Sequence, residues 1–134
     1  GETPDIVDNA YVVVEFANGI RAMLDLCMFA EASRDQEEIA AVGDRGKVEC
    51  GIPSSRLIVG KRQPLELTSE VIPIDQALLV AGEHHGSTFY QHQAFQACVQ
   101  NGTPPEVSLA DGRMAVAMGV AAERSIKTGQ PVTF

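Results

Sequence analysis

The chain is short of positive charge. Ten Lys and Arg stand against eighteen Asp and Glu, giving a net charge of −8 and a pI near 4.7. Non-specific nucleic-acid binding needs a basic surface, so that class is disfavoured and the acidity reads as a solubility device. Cysteine is scarce too. Cys27, Cys50 and Cys98 are odd in number, widely spaced and free of any CxxC, which speaks against a disulfide framework or a zinc knuckle. A reducing cytoplasm is the expected compartment. No apolar run approaches the ~20 residues of a spanning helix, and no signal peptide is recognisable, so no membrane partner is expected. Also missing are GxGxxG, Walker A, HExxH, GxSxG and EF-hand patterns.

The residues that are present suit one folded domain over 1–134, ordinary in its 45% hydrophobic and 21% charged content. The chain opens on Gly1 without a Met, which fits a piece of a longer protein. Its most structured stretch is Ala10 to Phe29, where two β-branched-rich runs flank Asn18-Gly19. A two-residue loop there would set Glu15 opposite Ala22, Val13 opposite Leu24 and Tyr11 opposite Leu26. The other side would then carry Phe16 with Arg21, Val14 with Met23 and Val12 with Asp25. Neither side is cleanly polar, so both faces of this hairpin are expected to be covered.

Further strands are expected at Gln36–Val42, Lys47–Cys50, Ser55–Val59 and Leu65–Ile74. The turn Gly43-Asp44-Arg45-Gly46 joins the first two of these, and Pro73 closes the last. A phosphate loop would need more glycines and a helix directly after them, so that motif reads as a plain turn. Residues 75–86 fit either helix or strand. A helix follows from an N-cap at Ser87 to about Gln100, with Phe89, His92, Phe95 and Val99 on one stripe. A second helix starts at the Ser108-Leu109-Ala110-Asp111 capping box, runs to Thr128 and stops at Gly129. It is apolar over much of its girth and should be well buried.

Strands followed by segregated helices predict an α+β fold: an open-faced, mostly antiparallel sheet of about six strands with two helices packed on one face. The other face, of order 500 Å² from strand spacing and rise, should bind something, most economically a second copy. Val12, Val14, Phe16 and Met23 are the candidates for that dimer face.

The chemistry-bearing residues form no complete set. His84, His85 and His92 lack a fixed third ligand, so no metal is expected. Glu37 and Glu38 are adjacent on a strand and point to opposite faces, so they are no acid/base dyad. No catalytic residue is identified.

Several stretches nonetheless resemble the C-terminal domain of the Gfo/Idh/MocA oxidoreductases, relatives of glucose–fructose oxidoreductase and inositol dehydrogenase. They are DNAYVVVEFANGI from Asp8, EEIAAVGDRGKVE from Glu37, HGSTFYQHQAF from His85 and the run from Gly102 through Val107-Ser108-Leu109-Ala110-Asp111-Gly112 to Pro131-Val132. The resemblance implies an NAD- or NADP-dependent parent that transfers hydride to or from sugars and polyols. It implies an N-terminal Rossmann domain with a catalytic lysine, and an Asp/His pair; this chain carries none of those motifs. What it would supply is the substrate side of the cleft and the oligomer interface. By the same resemblance Arg34 and the segment Glu83 to Thr88 approach the cleft, with His85, Ser87 and Thr88 as polar contacts. The alternative is a free-standing dimerisation or small-ligand-binding module.

Overall fold

The computed structural model describes residues 5–81 and 84–134, with the backbone alone at Ala81 and His85. Its strands are β1 (Asn9–Glu15), β2 (Arg21–Cys27), β3 (Glu37–Val42), β4 (Gly46–Ile52), β5 (Arg56–Lys61) and β6 (Glu66–Val71). Its helices are α1 (Gln76–Ala81), α2 (Ser87–Asn101) and α3 (Leu109–Thr128), with a 3-10 turn at His84–Gly86 between the first two. The α+β class holds. The six strands, however, form two open sheets: the hairpin β1-β2, and the four-stranded antiparallel sheet β3-β4-β5-β6. The chain divides into two compact units. One comprises Gly1–Ala30 with Pro104–Phe134, the other Glu31–Thr103.

In the first unit the hairpin has a different register from the expected one. Glu15 pairs with Arg21, Val14 with Ala22, Val13 with Met23 and Val12 with Leu24. The loop contains three residues, Ala17-Asn18-Gly19. Phe16 N–H donates to Ile20 O at 2.9 Å and Gly19 N–H donates to Phe16 O at 2.8 Å. Only Gly19 takes a left-handed backbone, at φ 84°. Asn18 instead accepts from Ile20 N–H through Oδ1 at 3.1 Å, so its side chain closes the turn and its backbone need not strain.

The extra loop residue changes which side chains share a face. Ala10, Val12, Val14 and Phe16 now stand with Ile20, Ala22, Leu24 and Leu26, a wholly apolar side. The opposite side mixes Tyr11, Val13 and Met23 with Asp25 and the Glu15–Arg21 ion pair at 3.5 Å. The expectation of two equally mixed faces therefore fails, because register and not composition sorts a hairpin. Burial follows the new sorting along β1: Ala10, Val12 and Val14 are half-buried and Tyr11 and Val13 are exposed, whereas on β2 only Leu26 is half-buried and both Leu24 and Met23 are exposed.

Helix α3 belongs to the same unit. Its capping box forms as expected: Ser108 Oγ accepts from Asp111 N–H at 3.2 Å and Ser108 N–H donates to Asp111 Oδ2 at 2.8 Å. At its other end Gly129 donates to Ser125 O with φ 65°. Ala117, Met118, Ala121, Ala122 and Ser125 form a half-buried stripe at helical spacing. Leu109, Val116 and Val120 are exposed, so the helix is less buried than its apolar girth suggests.

In the second unit β5 is flanked on both sides, and Leu57, Ile58 and Val59 are half-buried. One face carries Ile39-Cys50-Leu57 and Ala41-Val48-Val59 across three strands, with Thr68 and Glu70 on the β6 edge. The ambiguous 75–86 segment begins as α1, whose first turn is closed by Asp75 Oδ1 accepting from Ala77 N–H at 2.9 Å. Ser87 is the first helical residue of α2; the N-cap is Gly86, at φ 84°. Phe89, Phe95 and Val99, placed on one stripe by their spacing, are exposed. Among the described residues no apolar side chain reaches full burial.

Candidate functional site

The second unit gathers its polar chemistry at the end of the sheet where β3 begins. Residues 34–38 enter the strand there, beside the β4–β5 turn. Gln36 N–H donates to Ile52 O, which draws the entering chain against β4. That fixes Asp35, whose side chain is only 6% exposed. Its Oδ1 accepts from Ser54 N–H at 2.8 Å, and Arg34 Nε lies 3.6 Å from its Oδ2. The Ser54 amide is the chief reason the Asp35 carboxyl titrates below its ordinary value. The Ser54 hydroxyl adds to this, burial opposes it, and Arg34 and Arg56 help.

The neighbouring Glu37 reaches the other side of the corner. Its Oε1 accepts from His84 Nδ1 at 2.9 Å, a contact between residues 47 apart in sequence. His84 has φ 54°, an uncommon backbone for a residue with a side chain, and Gly86 beside it is buried. The 3-10 turn and the start of α2 are thus tied to the start of β3.

Of the cleft candidates, the structure brings Arg34 into this corner, with its side chain 86% exposed. Ser87 and Thr88 are the exposed first residues of α2, directly after the tied turn. Glu83 and the side chain of His85 lie outside the described residues. Glu37 and His84 are the pair that sequence reasoning missed. Nothing in either local pattern marks a contact made across 47 residues.

The dimer-face candidates lie in the first unit. Val12, Val14 and Phe16 share the apolar side of the hairpin, and Met23 stands on the opposite side with Val13. Grouping all four on one face is corrected by the three-residue loop.

A family model described as the oxidoreductase family, C-terminal alpha/beta domain (GFO_IDH_MocA_C), matches residues 1–134. The chain belongs to this family. No curated protein matches it. Family membership raises the question of a dinucleotide seat, which the glycine turn at 43–46 does not provide. Such a seat needs a glycine turn between a strand and a helix N-terminus. The glycine turn at 43–46 joins β3 to β4, two antiparallel strands. Among the described residues no group of His, Cys, Asp and Glu is arranged to hold a metal, and no helix is long and apolar enough to cross a membrane.

Proposed function

We propose that this chain is the substrate-side and oligomerisation domain of an NAD(P)-dependent sugar or polyol oxidoreductase, and that it is not catalytic by itself. The observation that carries the reading is the family match over the whole chain. The Arg34–Asp35–Glu37–His84 corner supports the substrate role, since paired donors and acceptors recognise hydroxyl groups without any chemistry of their own. The cofactor and the hydride-transfer residues belong to a Rossmann domain of the parent protein. A reducing compartment such as the cytoplasm suits a chain whose three cysteines show no disulfide framework.

The open apolar surface supports the oligomer role. Large apolar side chains stand open, among them Tyr11, Val13, Met23, Ile39 and Leu67, each more than half exposed. In the hairpin, Val12 and Val14 are half-buried and Tyr11, Val13 and Met23 are exposed, so the side with Met23 is the one assigned to a second copy.

Titration of the purified chain with NADH, followed by sedimentation equilibrium, tests both halves. The expected result is no saturable NADH binding and a dimer or larger assembly. NADH binding or sugar turnover by this chain alone would overturn the reading. So would an encoding reading frame without a GxGxxG-bearing segment of roughly 150 residues upstream.

A further inference from the structure

The sequence contains three asparagines, and two of them precede glycine: Asn18-Gly19 and Asn101-Gly102. The order matters chemically. The backbone nitrogen that follows an asparagine can attack its side-chain carbonyl carbon, and glycine, which has no Cβ, leaves that nitrogen least shielded. Both asparagines are exposed, and both glycines take a left-handed backbone, at φ 84° and 63°. Both glycine amides also start from a hydrogen bond: Gly19 N–H donates to Phe16 O and Gly102 N–H to Cys98 O. The same dipeptide thus stands in two backbone settings, and the asparagine side chains separate them.

In the hairpin loop the amide of Asn18 folds forward. Its Oδ1 accepts from Ile20 N–H at 3.1 Å, closing a ring that contains the Gly19 nitrogen. Attack on Cγ would place negative charge on Oδ1. The Ile20 amide already points at that atom, as a donor in an oxyanion hole does. Asn101 has neither advantage. It is the last residue of α2, and in a helix the Cα–Cβ bonds tilt toward the N-terminus, away from the following amide. Among the described residues no backbone N–H donates to its Oδ1.

We propose that Asn18 is a site of spontaneous covalent modification in the folded chain, cyclising onto Gly19 N with loss of ammonia. Hydroxide removes the Gly19 amide proton and the nitrogen bonds to Asn18 Cγ. The Cγ–Nδ2 bond breaks, and Nδ2 takes a proton from water and leaves as ammonia. Water then opens the cyclic imide at either carbonyl. One opening yields aspartate. The other yields isoaspartate, whose main chain runs through the former side chain and is longer by a methylene. No oxidant or reductant enters. Either product adds negative charge to a chain already at −8, and isoaspartate lengthens a loop that the Phe16 N–H to Ile20 O bond closes at 2.9 Å. The reaction needs only the hairpin, so it is independent of the proposed oxidoreductase role.

The test is timed incubation of the 134-residue chain at neutral and mildly alkaline pH, native and in urea, followed by peptide mapping with mass spectrometry. In the native chain Asn18 should convert about five- to tenfold faster than Asn101, the worth of one hydrogen bond to the developing oxyanion. The rate should rise with hydroxide, and isoaspartate should accumulate at position 18. In urea the Ile20 donor is no longer held in place, so the two rates should converge. Equal rates in the native chain, faster conversion at Asn101, or a ratio of the two that urea leaves unchanged would overturn the assignment.

Discussion

The carboxylate of Asp35 fills the space into which a side chain at Gly51 would grow. A Cβ at Gly51 would lie 2.6 Å from both Cγ and Oδ2 of Asp35, closer than such atoms approach. The bare backbone of β4 and the folded-over acid are therefore one device. Gly51→Ala should push the carboxylate away from Ser54 N–H and cost about 1–3 kcal/mol, the range for forced overpacking. Thermal melts read the loss, and faster hydrogen exchange at the Ser54 amide localises it. An unchanged Ser54 exchange rate would contradict the coupling.

Among the described residues, two acids are held below their ordinary titration range by hydrogen bonds. Asp35 and Asp111 both titrate below their ordinary value of 3.8, Asp35 chiefly through the Ser54 amide and Asp111 chiefly through the Ser108 hydroxyl. A depressed folded pKa means stability that is fully present above 3.8 and is lost as pH falls through the lower folded values. Melting temperature should therefore hold from neutral pH down to the ordinary carboxylate range and drop below it. Asp35→Asn and Asp111→Asn should each flatten that drop. A drop of the same size in both variants would place the titrating groups elsewhere.

The hairpin register makes opposite predictions for two neighbouring changes. Met23→Glu puts a charge on the open side with Tyr11 and Val13. It should dissociate the proposed oligomer while circular dichroism stays unchanged. Val14→Glu puts a charge on the half-buried apolar side and should lower the melting temperature of the unit itself. Sedimentation and melting curves on both variants decide. Equal behaviour of the two would contradict the assignment of faces.

Ser108→Ala removes the oxygen that accepts from Asp111 N–H and leaves the first turn of α3 with an unpaired donor. The expected cost is about 1 kcal/mol. Urea denaturation measures it, and Ser108→Asp, which keeps an acceptor at the N-cap, should restore most of the loss.

Some of this protein could be read from single residues and their near neighbours. The strand runs, the Ser108–Asp111 box and the glycine stop at Gly129 depend on interactions within a turn or two, and they appear where the sequence puts them. The α+β class follows from their order along the chain.

Other features had to wait for the fold. Asn18-Gly19 looked like a two-residue loop, but the side chain of Asn18 closed a three-residue one, and that single residue moved Met23 to the far side of the hairpin. Short-range preference selects a turn family, whereas register is set by which hydrogen bonds close along the whole ladder. The split into a two-stranded and a four-stranded sheet and the Glu37–His84 tie across 47 residues are both matters of long-range pairing. Local sequence states what each segment prefers; only the closed chain decides which segments stand beside one another.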